Sequence, residues 1–269
     1  MLTYLSRLAC LFACFLTLST CQRAHAQDPI ETLGEFLFND ETLSTPSGQG
    51  CVTCHDPAVG FTSPNSDVNE LFGPHPGVIL ARFGPRKPPT AAYAGDSGLL
   101  RKIVPEPRFG SHWEGGVFWD GRATGEVLGD PLADQALGPF VNRVEQNNPN
   151  RKAVVKKVAR SSYRSLFEQV WGKGSLNYED LATVAESYDQ IALSIAAFER
   201  SAAVNPFDSK FDHWLRGTAE LTDQERFGLW LFENPAEGQA LLTEPPSGTD
   251  ETTHGKSNCF ICHPSALGP

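Results

Sequence analysis

The sequence predicts a mostly α-helical protein with long loops, divided into two similar domains. Three observations lead to this prediction. Apolar residues recur with helical spacing between Tyr178 and Ala202, no stretch alternates polar and apolar residues long enough for a major sheet, and a unit of helix, loop and C-x-x-C-H occurs twice. Repetition at so wide a separation indicates two related domains and not a short-period solenoid.

Residues 1–26 have the features of a secretory signal peptide. They combine a basic start, an apolar run over residues 8–18 and the small-x-small sequence Ala24-His25-Ala26. The apolar run is too short to cross a bilayer, so we expect a protein exported to the periplasm with no stable membrane span. Lipid attachment at Cys21 is an alternative that the preceding Thr20 disfavours.

The mature chain begins with a short amphipathic helix, predicted over residues 30–38, whose apolar residues at 30, 33 and 37 share one face. A loop rich in Thr, Ser, Pro and Gly leads from it into Cys51-Val-Thr-Cys54-His55. Residues 227–232 repeat the Gly-x-aromatic-Leu-Phe pattern of this helix, after a capping box that starts at Thr222. A second loop then leads into Cys259-Phe-Ile-Cys262-His263. The same unit therefore occurs near both ends of the mature chain.

Each C-x-x-C-H run has the spacing of a covalent c-type haem attachment site. Two thiols one helical turn apart reach the two vinyl groups of one porphyrin, and the adjacent imidazole becomes the proximal ligand of the iron. We therefore expect two covalently bound c-type haems, with His55 and His263 as iron ligands. A zinc site built from both cysteine pairs is the alternative, but it would not need a histidine after each pair.

The cysteine count supports the haem interpretation. The chain has seven cysteines, at positions 10, 14, 21, 51, 54, 259 and 262. Cleavage after Ala26 would remove the first three and leave only the four in the two motifs. An exported protein normally uses spare cysteines for disulfides, and the mature chain would have none to spare.

The segment between the motifs supplies the predicted helical core. Residues 178–202 form the longest predicted helix, and one apolar stripe runs along it: Leu181, Val184, Tyr188, Ile191, Ile195 and Phe198. Residues 151–167 form a second predicted helix. Long ordered loops commonly carry function, and proline and glycine cluster in three predicted loops, 73–89, 129–139 and 235–255.

Charge and length narrow the class of protein. The formal net charge is −10, and loss of Arg7 and Arg23 with the signal peptide would leave 20 basic and 32 acidic residues, a charge of −12. An acidic surface argues against nucleic acid and anionic membranes as partners, and it attracts a partner with a positive face. A mature chain of about 240 residues fits two ordinary domains, which we place at residues 27–170 and 171–269.

Three further motifs follow the first haem motif. They are Phe118-Trp119-Asp120-Gly121-Arg122-Ala123, Gln135-Ala-Leu-Gly138-Pro139 and Val144-Glu145. Together with Cys51–His55 they resemble the bacterial di-haem cytochrome c peroxidase and MauG-like family, over nearly all of the mature chain. The resemblance implies two cytochrome-c-like haem domains, with hydrogen peroxide reduced at the N-terminal haem. It also implies that a small cytochrome c or copper protein delivers electrons to the C-terminal haem, and it is compatible with a homodimer.

The resemblance also implies roles for individual side chains. Glu145 would move a proton between the peroxide oxygens, which requires a carboxyl group whose pKa is raised by burial, and Gln135 would be its polar neighbour. Trp119 would carry electrons between the haems, and Arg122 would pair with a haem propionate. Without the resemblance, the ordinary alternatives are a Glu and a Gln in surface loops and a tryptophan of the core.

The distal ligand of the first haem has two candidates. His75 lies in Gly73-Pro74-His75-Pro76-Gly77, a mobile-looking loop placed where relatives carry a distal histidine that leaves the iron when the partner haem is reduced. Such a ligand would be a redox switch. A solvated loop histidine is the alternative role. His112, near Trp113 and Trp119 in the sequence, is the second candidate.

The sequence departs from the family pattern in two places. Only six residues follow His263 and the sole methionine is Met1, so the downstream Met or Tyr that would ligate the second iron is missing, and we expect the second domain to be truncated. Lys87 stands where relatives carry an Asn that helps to bind calcium, and a cation does not ligate calcium. Calcium is therefore compatible with a longer protein but unsupported by these residues. Three functions stay open: a peroxidase, a MauG-like oxidase of a partner protein, and a non-catalytic di-haem electron carrier.

Overall fold

The computed structural model describes residues 27–71, 73–106, 110–232 and Cys259. Several predicted features lie outside the described residues: the signal peptide, the loop at 235–255, His254, Cys262 and His263. The chain divides after Asn205 into two compact units.

The described part of the chain is mostly helical, which confirms the predicted fold class. The first unit contains six α-helices: α1 (Pro29–Asn39), α2 (Ser66–Leu71), α3 (Pro131–Ala136), α4 (Arg151–Val158), α5 (Arg164–Trp171) and α6 (Leu181–Arg200). The second unit contains α7 (Lys210–Leu215) and α8 (Asp223–Phe232). Long loops and short 3-10 turns connect the helices of the first unit, and these loops form most of the site.

The described residues contain one small sheet, and no major one. Its strands, β1 (Arg101–Glu106) and β2 (Gly110–Glu114), pair antiparallel, with Arg101 opposite Glu114 and Ile103 opposite His112. The register shifts between Ile103 and Glu106. The ribbon projects from the helical core and leaves Val104 and Trp113 exposed.

Helix α1 forms where the sequence predicts it. Asp28 and Glu31 make a capping box, in which the Ile30 amide donates to Asp28 Oδ1 at 3.1 Å and Pro29 starts the first turn. Leu33 and Leu37, two of the predicted inner residues, are buried. The third, Ile30, is only half-buried because it lies in the first turn, at the edge of the contact.

Helix α6 is the centre of the first unit and packs against α1, α3 and α4. Asp180 caps its first turn through the amides of Ala182 and Thr183. The predicted stripe is buried from Val184 to Phe198. Leu181, the first residue of that stripe, is 75 % exposed, which corrects the prediction: it is the first residue of the helix and precedes the turns that pack.

Two predicted segments have a different secondary structure. The predicted helix at 151–167 is two helices, because the chain turns after Val158, whose carbonyl accepts from the amide of Ser161 at 3.1 Å and from its hydroxyl at 2.8 Å. The predicted loop at 129–139 contains α3. Asp130 caps this helix by accepting from the Leu132 amide at 2.9 Å, with Pro131 in its first turn.

The first compact unit extends past residue 170, where we placed the domain boundary, and includes α6 up to Asn205. The apolar face of α6 explains this extent, since Ile191 and Ile195 belong to the same buried cluster as Leu33 of α1. The assignment of two haem domains itself stays a prediction.

In the second unit, the predicted capping box at the start of α8 is confirmed. The Thr222 amide donates to Glu225 Oε2 at 2.7 Å, and the Glu225 amide donates to Thr222 Oγ1 at 3.3 Å. Trp230 of α8 is buried. Across both units, no helix among the described residues has the length and apolar character needed to cross a membrane.

Candidate haem site

A cavity of about 340 Å³ opens in the first unit, between α6, α3 and four loops. Its wall brings together eight of the residues that the sequence singled out, although they are spread over almost 100 positions of the chain. They are Cys51, Cys54, His55, His75, Trp119, Arg122, Gln135 and Glu145. Cys259 of the second motif is exposed.

The Cys51–Thr53 segment forms a 3-10 turn that packs against the C-terminal end of α1. The Gly50 amide donates to Thr53 Oγ1 at 3.0 Å, and the His55 amide donates to the Cys51 carbonyl at 2.9 Å. A Cβ on Gly50 would lie 3.2 Å from the Phe38 carbonyl oxygen, so glycine lets the turn pack closely against the helix. Burial raises the pKa of Cys51, and it raises the pKa of Cys54 to about 12. Both cysteines are therefore neutral thiols on the cavity wall.

The imidazole of His55 is oriented by the backbone. Nδ1 lies 3.1 Å from the Phe61 carbonyl oxygen, and because a carbonyl can only accept, Nδ1 carries the proton. Burial lowers the pKa of His55, against the opposite effect of the Phe61 and Pro89 carbonyls. A neutral imidazole held through Nδ1–H is the usual arrangement of a metal-ligating histidine, with Nε2 as the ligating nitrogen.

His75 lies beside the first haem motif, with Nδ1 3.4 Å from Cys54 Sγ and 2.9 Å from the Pro76 carbonyl oxygen. Several hydrogen bonds hold the segment that carries it. Gln49 is buried, and its side-chain Nε2 donates to the Pro76 carbonyl at 3.1 Å. The backbone amide of Gly77 donates to the Arg82 carbonyl at 2.8 Å. The role of His75 as a distal ligand stays a prediction.

Glu145 belongs to the cavity wall, and its backbone is fixed against the His75 segment. Its carbonyl accepts from the Val78 amide at 2.9 Å. A Cβ on Gly77 would lie 2.3 Å from the Val144 carbonyl oxygen, so this approach requires glycine. Burial raises the pKa of Glu145, and the positive charge of Arg122 opposes this effect. Burial thus favours the neutral form of Glu145, and its role in proton transfer stays a prediction.

Gln135 reaches the cavity from α3. It is half-buried, and Leu132 and Ala136 of the same helix line the cavity beside it. Leu132 and Gln135 are three residues apart and therefore lie on one face of the helix. This face contributes both an apolar side chain and the Gln135 amide to the cavity wall.

Trp119 and Arg122 lie on a tight turn whose ends pair, since the Val117 amide donates to the Ala123 carbonyl at 3.0 Å. Trp119 is 66 % exposed, and its Nε1 donates to the Lys87 carbonyl at 2.9 Å; it is therefore not a core tryptophan of the first unit. Arg122 stacks over the Phe118 ring at 3.8 Å and pairs with Asp120 at 2.8 Å. Its proposed pairing with a propionate stays a prediction.

Two other residues that the sequence singled out, His112 and Lys87, differ in their position relative to the cavity. His112 is on β2, and its Nε2 lies 3.1 Å from Glu114 Oε1, so it does not line the cavity. Lys87 lines the cavity. The described residues contain no group of three or more His, Cys, Asp or Glu side chains placed to hold a metal. Calcium binding stays an expectation for a longer protein.

Three buried polar residues of the cavity were missed by sequence reasoning: Gln49, Gln146 and Glu199. Gln49 donates to Pro76 as described above, and Glu199 lies on α6. The sequence shows only that Glu199 follows Phe198 on a helix predicted to be buried. That position does not predict whether the Glu199 side chain faces a cavity.

The residues of the cavity fit a haem. Two thiols that can bond to the haem vinyl groups and an imidazole with a backbone-held Nδ1 are the residues that a c-type haem requires, and the half-buried acid Glu145 lies at the same cavity. The fold and this set of residues define a mostly helical protein of the c-type haem class. A comparison of the sequence with known families then gives the particular family: residues 29–220 match the family described as di-haem cytochrome c peroxidase. The chain belongs to this family, whose members are di-haem oxidoreductases.

Individual relatives agree with this assignment. The chain is 36 % identical to the methylamine utilization protein MauG of Paracoccus denitrificans over 231 residues, which is 84 % of this chain and 55 % of that protein. It is 24 % identical to the cytochrome-c peroxidase IdrP2 of Denitromonas iodatirespirans, over 91 % of this chain and 50 % of that protein.

Solved structures give the same result. The di-haem peroxidase BthA of Burkholderia thailandensis has a TM-score of 0.63 and 30 % identity, over 77 % of this chain and 47 % of that one. The chain thus spans about half the length of the curated relatives that it matches.

Proposed function

We propose that the chain is the peroxide-reducing part of a periplasmic di-haem cytochrome c peroxidase. The first haem would be attached through Cys51 and Cys54, with His55 as a ligand of its iron. The second would be attached through Cys259 and Cys262, with His263 as a ligand of its iron, and would receive electrons from a small cytochrome c or copper protein. The observation that supports this function best is the meeting of the first haem motif and Glu145 at one cavity.

When bound, the haem supplies the iron at which peroxide is reduced. The overall reaction takes one hydrogen peroxide, two electrons and two protons to two waters. Glu145 holds a proton at neutral pH more readily than an exposed carboxyl group, because burial raises its pKa, so it can transfer that proton to the departing oxygen. Gln135 can orient the peroxide through its side-chain amide, which donates and accepts hydrogen bonds.

Trp119 is the proposed carrier of electrons between the haems. It lines the cavity and at the same time exposes most of its surface, which suits an indole placed between two redox centres. Its hydrogen bond to the Lys87 carbonyl fixes the ring plane. The exposed position would be unusual for a tryptophan that only fills a core.

A MauG-like oxidase is the second candidate, and the relatives favour keeping it. Methylamine utilization proteins MauG from three organisms match the chain, one of them at 36 % identity. Such an enzyme would use peroxide to oxidise side chains of a partner protein, and electrons would then flow from the partner to the haems. The cavity residues of the first unit suit both functions. The two functions differ in the partner protein: a peroxidase takes electrons from a donor, and a MauG-like oxidase oxidises side chains of its partner.

The peroxidase proposal is tested by stopped-flow oxidation of a reduced small cytochrome c by peroxide, with the haem-loaded full-length protein. Glu145→Gln keeps the size of the side chain but removes the acid. We expect turnover to fall by a factor of about 10²–10⁴, the usual contribution of a general acid or base, with the haem absorbance spectrum unchanged. Glu126→Gln, an exposed residue outside the cavity, is the matched control and should behave as wild type.

The outcomes separate the candidate functions. Equal turnover in Glu145→Gln and wild type would remove Glu145 from the mechanism. If the wild type does not oxidise cytochrome c but peroxide produces a long-lived oxidised haem spectrum, the protein is a MauG-like oxidase. If peroxide causes no spectral change, the protein is an electron carrier and the peroxidase proposal is wrong.

A further inference from the structure

A second carboxyl group, that of Glu199, lies at the haem cavity and has no part in the function proposed above. Glu199 is in the last turn of α6, four residues after Ile195, and both line the cavity. Glu199 is only 5 % exposed, and its Oε2 has no hydrogen-bond partner among the described residues. A buried and unpartnered carboxyl group is strongly disfavoured in its charged form, so this position needs a reason.

The neighbouring cation on α6 forms its ion pair with another acid and not with Glu199. Arg200, its neighbour on α6, donates to both carboxylate oxygens of Asp130, at 2.6 and 2.7 Å. This bidentate pair uses the guanidinium for another acid. Asp130 itself adds a negative charge that opposes ionisation of Glu199.

On the other side, Glu199 faces the first haem motif. Its negative charge raises the pKa of the Cys51 thiol, as do those of Cys54 and Glu145, so the two acids act on the same attachment site. The remaining titratable groups on the cavity wall are His55, His75, Arg86, Lys87 and Arg122. Arg122 influences the pKa of Glu145, whereas Glu199 is influenced mainly by its own burial.

Burial raises the pKa of Glu199 to about 8, with Asp130 adding to the rise and Arg200 opposing it. The side chain is therefore a neutral acid at pH 7 that lies close to its own titration range. A small change in nearby charge is enough to move its proton.

We propose that Glu199 takes up a proton when the haem at Cys51 and Cys54 is reduced and releases it when that haem is oxidised. The inference rests on the haem placement proposed above. The oxidised haem carries one more positive charge than the reduced one, which favours the Glu199 carboxylate. One electron from the donor protein is thus accompanied by one proton from solvent, bound at a carboxylate oxygen of Glu199. When peroxide oxidises the haem, this proton is released inside the cavity, where the reaction consumes two.

The test is the pH dependence of the reduction potential, measured by spectroscopic redox titration of the haem-loaded protein. Between the pKa values of Glu199 in the reduced and oxidised states, one proton per electron lowers the potential by about 59 mV per pH unit, a tenfold change in equilibrium constant. We expect this slope in the wild type around and below pH 8, because the positive charge of the oxidised haem lowers the pKa of Glu199 from about 8, and we expect its loss in Glu199→Gln. Glu186→Gln changes an exposed acid of the same helix and should keep the wild-type slope.

Infrared difference spectra between oxidised and reduced protein give a readout that needs no turnover. In the wild type, a protonated carboxyl band should appear on reduction and shift in D₂O. The band should be absent in Glu199→Gln and present in Glu145→Gln. A flat potential in the wild type, or the same slope and band in Glu199→Gln, would overturn the inference. If Glu199→Gln fails to bind haem, the inference is tested by the pH slope of the wild-type potential and by the carboxyl band of Glu145→Gln. Loss of either one would overturn it. Absence of a c-type haem spectrum in the wild type would instead refute the proposed haem site.

Discussion

The contact between α1 and α6 makes a prediction in which two local effects oppose each other. At Gly34 an added Cβ would lie 2.0 Å from the Ser194 carbonyl oxygen and 2.7 Å from Phe198 Cβ. Both neighbours belong to α6 and are at or next to its backbone, so they cannot move aside as a flexible side chain would. Replacing Gly34 by alanine therefore forces the two helices apart by roughly 1 Å to restore ordinary contact distances.

The sign of the effect follows from the magnitudes. Alanine in place of glycine in a helix interior stabilises by roughly 0.5–1 kcal/mol, while overpacking a close contact costs typically about 1–3 kcal/mol and occasionally more. The contact at Gly34 is at the severe end, because separation of the helices also loosens the buried layer formed by Leu37 and Phe198. We expect Gly34→Ala to lower the free energy of unfolding by about 2 kcal/mol, or the Tm by roughly 4–8 °C.

Thermal unfolding of the haem-loaded protein, followed by circular dichroism, measures this change. Glu35→Ala is the control, since Glu35 is an exposed residue of the same helix and should shift the stability by less than about 0.5 kcal/mol. A Tm of Gly34→Ala equal to or above that of the wild type would refute the reasoning, because helix propensity would then outweigh the helix contact.

Two further predictions concern the polar contacts of the first unit. The ammonium of Lys157 has three N–H donors and lies within hydrogen-bonding distance of four oxygen atoms on two loops of the first unit, so Lys157→Met should lower the free energy of unfolding in urea by about 2 kcal/mol. Lys156→Met, on the exposed side of α4, should be close to neutral. The Tyr163 hydroxyl donates to Asp40 Oδ2 at 2.6 Å, and Tyr163→Phe should cost about 1.5–3 kcal/mol, the range for hydrogen bonds to charged groups. An unchanged urea midpoint in either variant would contradict the corresponding prediction.

Sequence reasoning located the helices better than it located their ends. The stripe of α6 and the face of α1 follow from a period that is visible in any local window. The break between α4 and α5 was missed because Ser161 closes a turn on Val158 without proline or glycine to mark it. The start of α3 was missed because its Asp-Pro sequence, which suits a helix start, lies in a segment rich in loop formers.

The sequence by itself predicted the haem chemistry of this protein. The spacing of Cys51, Cys54 and His55 follows from the dimensions of one porphyrin, and covalent chemistry of that kind is encoded within five consecutive residues. The family also followed from short motifs, and the match over residues 29–220 confirms it.

Only the tertiary structure decided which polar groups share the cavity with those residues. Burial of Glu199, the hydrogen bond from Gln49 to the His75 segment and the approach of Gly77 to Val144 all join parts of the chain far apart in sequence. The pKa of a carboxyl group depends on what surrounds it in space. No local pattern carries that information, so the acid that the sequence left unnoticed could be recognised only once the loops and helices were packed together.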